Sequence, residues 1–214
     1  TGNATDDRSI TGVGFQPDFV WLKRRDTTGS HRLIDVIRGA TKTLISNGNN
    51  AEGTEADVIQ AFESDGIQIG ADSASNANSG TFVLWNWKAG GSSSSNSNGS
   101  ITSSVSASTD AGFSIVSYTG NNTAGATVGH GLSTAPSMVI VRNRNRTDNR
   151  DWVIYHTGLT GINYYIYLNT NAAQAGTYSN FWNDTVPSSS VITLGSGDTG
   201  TNGSSDTYIA YCFA

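Results

Sequence analysis

The chain has 214 residues, 36% hydrophobic and 14% charged, with 12 basic and 17 acidic side chains and a formal net charge of −5. That size fits one large or two small soluble domains, and a charged fraction well under the roughly 25% of an average globular domain implies a polar, weakly ionic surface rich in Gly, Ser, Thr and Asn. No apolar run approaches the roughly 18 residues that span a bilayer, and the opening Thr1-Gly2-Asn3 has neither region of a signal peptide. The single cysteine, Cys212, excludes an intrachain disulfide and a cysteine-built zinc site.

In chain order, the first predicted element is the apolar run Phe19 to Leu22, introduced by Pro17, which suits the first position of a strand buried on both faces. Leu33-Ile34 and the motif Leu44-Ile45-Ser46-Asn47 follow. Thr54 to Ser64 carries Val58, Ile59 and Phe62 on one stripe behind Thr54 or Glu55, a pattern that predicts the one helix. Ile67-Gln68-Ile69-Gly70 and Thr81 to Trp87 read as strands, the latter with Trp85 and Trp87 at period two. Gly90 to Ser108, headed by GGSSSSNSNGS, reads as a flexible connector. Phe113 to Tyr118 then alternates as a strand. Asn-Gly pairs beginning at Asn47, Asn98 and Asn202 read as turns, because both residues accept positive φ.

From Thr119 the pattern repeats. Thr119-Gly120-Asn121 restates Thr1-Gly2-Asn3, and Pro136 to Arg144 restates Pro17 to Arg25. Val153-Ile154 lines up with Leu33-Ile34, Tyr167 to Thr170 with Leu44 to Asn47, and Ile192 to Gly195 with Ile67 to Gly70. Thr207 to Phe213 lines up with Thr81 to Trp87. The order never breaks and the offset grows slowly, so the chain is read as a tandem duplication with small loop insertions. The strand Phe113 to Tyr118 leads into the second Thr-Gly-Asn, whereas its equivalent before Thr1 is missing. With no initiator Met, the chain is expected to be cut from a longer polypeptide, or else the second repeat's strand fills the vacancy.

Titratable groups are sparse. His31, His130 and His156 occupy non-equivalent places, and no G-x-S-x-G marks a nucleophile. Asp198 to Gly203 resembles a calcium loop only superficially, with Ile209 where a loop's Glu would stand, and reads as a turn. Glu52, Glu55 and Asp57 read as the acidic start of the helix rather than as ligands. Ten of the 12 basic residues fall in two corresponding stretches: Lys23, Arg24, Arg25, Arg32, Arg38 and Lys42, then Arg142, Arg144, Arg146 and Arg150. Asp26, Asp35, Asp148 and Asp151 are interleaved on a net-acidic chain, which points to local ion pairs or an acidic neighbouring subunit rather than nucleic acid. Aromatic residues such as Tyr164, Tyr165, Tyr167 and Trp182 could stack on sugar rings, although core packing is the commoner fate.

GFQPDFVWLKRR, SHRLIDVIRGATKTLISN, ESDGIQIG and SGTFVLWNWKAGG, followed by GFSIVSYTGN, TVGHGL, DWVIYH and YIAYCFA, together resemble repeated β-domains in virion structural proteins of marine tailed bacteriophages. The resemblance covers nearly the whole chain. It implies a structural protein on the exterior of a phage particle, a tail-fibre or tailspike segment or a capsid decoration, and it supplies no catalytic residues or cofactor.

The sequence therefore predicts an all-β fold, a β-sandwich of lectin-like or jelly-roll type with at most one or two short helices. It is built from repeat one at 1–89, the connector at 90–108 and repeat two at 109–214, packed as one unit because a lone half would bury too little. The expected function is non-enzymatic: a virion surface protein, located on the particle exterior, that contacts other virion proteins and copies of itself. Host-surface polysaccharide is a further expected partner, with Tyr164, Tyr165, Trp182, Arg142 and Arg144 as candidate contacts. No cofactor, metal site, nucleic acid or membrane insertion is expected. A carbohydrate-binding module, which needs a concave aromatic site with Asn or Asp hydrogen bonding, and a glycan-degrading enzyme, which needs two carboxylates in a cleft, are the alternatives.

Overall fold

The computed structural model describes residues 1–146, 148 and 151–214; Arg150 of the second basic stretch lies outside them. The described residues form β1 (Arg8–Thr11), β2 (Phe19–Arg24), β3 (Arg32–Asp35), β4 (Lys42–Ile45), β5 (Gly53–Thr54), β6 (Ala61–Glu63) and β7 (Gly66–Ile69). The short helix α1 (Ser73–Asn76) precedes β8 (Phe82–Trp87). The rest comprises β9 (Ser94–Asn96), β10 (Ser103–Ser108), β11 (Phe113–Thr119), β12 (Ala126–Gly129) and β13 (Met138–Asn143), then β14 (Val153–His156), β15 (Ile166–Tyr167), β16 (Val191–Leu194) and β17 (Thr207–Phe213). The fold is all-β and sandwich-like.

Two large antiparallel sheets, ordered β5-β4-β3-β2-β8 and β15-β14-β13-β17-β11-β10-β9, face each other. Between them Phe19, Leu33 and Leu44 of the first meet Phe113, Ile115, Ile140, Ile154, Ile209 and Tyr211 of the second. The outer face of the first sheet is covered by β1-β7-β6, through Val20, Leu22 and Ile34 against Ile67 and Ile69. The outer face of the second is covered by β12-β16, through Val139, Val141, Tyr208 and Ala210 against Val128, Ile192 and Leu194. Strands such as β2 and β13 therefore bury both faces, which explains their unbroken apolar runs.

The duplication extends to single hydrogen bonds. Gly2 N–H donates to Gly80 O at 2.8 Å and Gly120 N–H to Asp206 O at 2.9 Å. Asn76 accepts from Asn3 N–H and donates to Thr5 O and Gly70 O, while Asn202 accepts from Asn121 N–H and donates to Thr123 O and Gly195 O. Both asparagines are fully buried, so Asn202 is an internal clamp and not the turn its Asn-Gly pair suggested. Ala4 and Asn122 share φ near 55°, with values of 56° and 55°. Gly2 and Gly120 must be glycine, since a Cβ would stand 2.2 Å from Ala77 O and 2.4 Å from Gly203 O respectively.

Three expectations need correction. Thr54 to Ser64 is not a helix: it leaves β5, turns, and forms β6 of a hairpin with β7, because Val58 and Ile59 are buried under the first sheet while Glu55 is held by Arg32 at 2.8 and 3.0 Å. The Gly90 to Ser108 segment is not a loose connector, since it contains β9 and β10. Its small side chains serve close approach: a Cβ on Gly90 would sit 2.6 Å from Ala107 O, Ser106 Oγ donates to Gly91 O, and Ser103 Oγ donates to Gly129 O. The pairing of the repeats also shifts by one residue, because Leu33 lies opposite Trp21 as Ile154 lies opposite Ile140, and Leu44 corresponds in the same way to Ile166. With both faces apolar, hydrophobicity alone cannot fix which residue faces which way.

The vacancy beside repeat one persists. β11 lies between β10 and β17, leaving β8 at the open edge of its sheet.

Candidate functional site: an aromatic groove between the halves

At the seam of the two halves the second sheet leaves part of the first uncovered. Trp21 projects from β2 on the same face as Phe19, Trp85 and Trp87 project from β8, and His31 precedes β3. Trp21 and Trp85 meet edge to face with centroids 6.4 Å apart, and Trp21 meets His31 at 6.0 Å. Trp85 is 45% exposed, one of two large hydrophobic side chains so exposed among the described residues. These four side chains enclose a hollow of about 280 Å³. It continues past Trp21 and His31 into one of about 630 Å³ walled by Ser46 and Asn47 from one half and Leu168, Asn169, Thr170 and Asn171 from the other.

The two walls are corresponding loops. Asn47 Oδ1 accepts from His31 N–H at 2.9 Å, and Asn169 Oδ1 accepts from Trp152 N–H at 3.0 Å. His31 and Trp152 therefore hold equivalent positions with opposite outcomes. Trp152 is fully buried and donates to Ile45 O at 2.9 Å, sealing one side of the seam. The smaller His31 leaves the other side open.

Among the described residues, the lining of the groove holds no Asp, Glu, Lys or Arg. Trp21 Nε1–H donates to His31 Nδ1 at 2.9 Å, which places the imidazole proton on Nε2, and burial together with the nearby Lys23 ammonium lowers the His31 pKa. At neutral pH the groove thus offers indole faces, one imidazole N–H donor, and the exposed side chains of Asn47, Thr170 and Asn171.

The residues singled out from sequence lie elsewhere. Trp182 is 2% exposed, packed edge to face on Tyr155 in the outer core of the second half. Tyr165 is half-buried among Tyr167, Tyr178 and Phe181, and Tyr164 is half-buried with its ring against Gly176. Arg142 is fully buried, donates to Asn50 O at 2.8 Å and lies over the Trp152 ring; desolvation lowers its pKa to about 10. Trp182 and Arg142 are corrected from surface contacts to buried residues, the first packed into the outer core against Tyr155 and the second held against the Trp152 ring by the Asn50 carbonyl. Arg144 forms a two-pronged pair with Glu52, 2.9 Å at each contact. Glu52 also meets Arg38, whose guanidinium pairs with Asp35 at 2.5 Å, and Asp35 accepts from Tyr211 Oη–H at 2.8 Å. Of these contacts the Arg144–Glu52 ion pair and the Tyr211–Asp35 hydrogen bond tie one half to the other, while the Arg38 pairs lie within the first half. Glu55 pairs with Arg32, and Asp198 Oδ1 accepts from Gly200 N–H as a turn does.

Of the groove's aromatic residues, Trp85 and Trp87 were visible as a period-two pair. Their opening to solvent was not, because it depends on which strand stands next to β8.

Fold and site together define a class: a doubled all-β sandwich carrying a solvent-open aromatic groove between its halves. Within that class the chain belongs to the DUF7483 family, a domain of unknown function whose model matches residues 1–214. No curated protein and no solved structure matches it.

Proposed function

We propose that this chain is a non-enzymatic surface module of a bacteriophage virion, a tail-fibre segment or capsid decoration, and that it contacts host-surface polysaccharide through the Trp21–Trp85–Trp87 groove. One observation carries the saccharide reading: three indoles and neutral hydrogen-bonding side chains converge on a single concave surface. Apolar faces of pyranose rings stack on indoles, and hydroxyls pair with amide and imidazole groups, so such a surface suits a neutral sugar. The absence of Asp and Glu from the groove lining favours binding over hydrolysis, which requires a carboxylate pair at the scissile bond. The virion context rests on the sequence resemblance, and the polar, weakly charged surface agrees with it.

The test is titration of the protein with neutral cell-surface polysaccharides while its tryptophan fluorescence is followed. Saturable quenching that disappears in Trp85→Ala, with the fold intact by circular dichroism, is the expected outcome. Quenching that survives in Trp85→Ala, or none with any polysaccharide, removes the groove from the proposal. Gold-labelled antibody on phage particles tests the location separately: label at the tail tip or over the capsid supports it, and unlabelled particles overturn it.

A further inference from the structure

The second half displays what the first half lacks. β11 lies antiparallel to β17 and supplies Phe113 and Ile115 to the central core, while its Tyr118 turns to the outer face. There Tyr118 is 4% exposed, stacks on Tyr208 at 5.0 Å and donates to Thr201 O at 2.8 Å.

At the matching place in the first half is a hollow of about 200 Å³ bounded by Gly2, Ile10, Leu22, Ile69, Ser75 and Phe82, among others. Phe82 stands where Tyr208 stands, and Ser75 where Thr201 stands. Next to it runs the open edge of β8. Arg25 N–H donates to Thr81 O, so by the two-residue alternation of an antiparallel ladder the backbone groups of Phe82, Leu84 and Asn86 point away from β2. A second sign is on the strand itself: Asn86 Oδ1 is buried with no hydrogen-bond partner among the described residues. Asn86 corresponds to Cys212, which lies opposite Ser114 of β11. The core face, the backbone and the outer hollow thus each lack the component that β11 supplies to the other half.

We propose that the β8 edge is a strand acceptor. Its occupant is an extended segment of β11's chemistry, with alternating apolar and hydroxyl side chains, running antiparallel to β8 and ending on a tyrosine whose ring enters the hollow and whose hydroxyl donates to Ser75 O. Tyr118 immediately precedes Thr119, the counterpart of Thr1, so the occupant's tyrosine sits one position ahead of Thr1. Exposed sheet edges commonly bind an added strand in this way, with backbone bonds giving affinity and side-chain pockets giving selectivity. This surface lies along the sheet edge and does not depend on the saccharide reading of the groove.

The experiment joins Gly-Phe-Ser-Ile-Val-Ser-Tyr directly ahead of Thr1 and compares the extended protein with the original by thermal unfolding and amide exchange. The expected result is a rise in Tm of about 5 °C, with the Phe82, Leu84 and Asn86 amides becoming as protected as those of Tyr208, Ala210 and Cys212. An extension ending in Ala instead of Tyr should lose most of the rise, and a labelled peptide of the same sequence should bind the original protein at least about tenfold more tightly than its Ala version. Unchanged Tm with those amides still exchanging freely overturns the proposal. So does sedimentation showing that the original chain dimerises and that Leu84→Pro, which removes one edge donor, abolishes the dimer, because the edge would then serve a second copy.

Discussion

β8 and β17 are the same strand twice, and their surroundings differ. Each is the closing strand of its half, each pairs in register with the strand that follows a proline, and each is approached by a Thr-Gly-Asn segment held by a buried asparagine. Yet Tyr211 of β17 is buried, bonded to Asp35 and Arg38 of the other half, whereas its counterpart Trp85 is 45% exposed. Duplication has kept the backbone frame and let the flanks diverge: one copy became a central strand, and the other retains an open edge and an aromatic face. The conserved frame carries stability, and the difference between the flanks carries the proposed binding surfaces.

The strongest way to break this comparison is to disrupt the buried side. Asp35→Ala leaves the Arg38 guanidinium and the Tyr211 hydroxyl without their main partner in a fully buried site, and should cost about 3–5 kcal/mol in denaturant unfolding. Tyr118→Ala should cost a similar amount, about 3–5 kcal/mol, by carving into the second half the hollow already present in the first. If either were neutral, the central position of β17 would not be what stabilises that half.

Gly2→Ala and Gly120→Ala probe what the halves share. Both insert a methyl group against a backbone oxygen, so each should destabilise by about 1–3 kcal/mol, and by similar amounts. A large inequality would mean that the two Thr-Gly-Asn clamps have stopped being equivalent.

Acid sharpens the comparison further. His31 and His130 both have pKa values lowered chiefly by burial, and both hold a neutral tautomer in which Nδ1 accepts a hydrogen bond. A histidine depressed in the fold stays neutral while the unfolded chain takes up a proton. Stability should therefore be level above about pH 6.5 and fall as pH drops from there through the folded values. Saccharide binding should weaken over the same window, since a protonated His31 Nδ1 cannot accept from Trp21; a His31→Gln variant whose binding keeps the same acid dependence would refute that link. The smallest expected stability effect is that of Trp85→Ala, under about 1 kcal/mol, because nearly half of the side chain is already in water.

The sequence revealed the architecture better than the site. Continuous apolar runs after Pro17 and Pro136, and period two in β8, led to buried antiparallel strands, and the ordered recurrence of motifs led to two halves. Register within the duplication was off by one at Leu33 and Leu44, because a strand buried on both faces has no polar side to mark parity. Val58, Ile59 and Phe62 suggested a helical stripe, yet the first two are pinned beneath a sheet and the third sits in a hairpin. Arg142 reads as a surface contact by residue type, and only the Trp152 ring and Asn50 carbonyl against it reveal it as buried; Trp182, a candidate contact although core packing is the commoner fate of such rings, takes that fate against Tyr155. The groove was legible only in its parts: nothing local says that Trp152 seals one end of the seam while His31 leaves the other open.

The placement of β17 has a kinetic consequence. Residues 207–213 form a strand at the middle of the seven-stranded sheet, between β13 and β11, so that sheet cannot close until a late stretch of the polypeptide has threaded into its centre. Pairings across so much intervening chain form slowly. During synthesis the first half can complete its five-stranded sheet once β8 has emerged, while β11 and β13 wait with unpaired edges for a strand not yet made. Assembly should proceed from the first half to the second, with aggregation risk concentrated in the interval before β17 arrives.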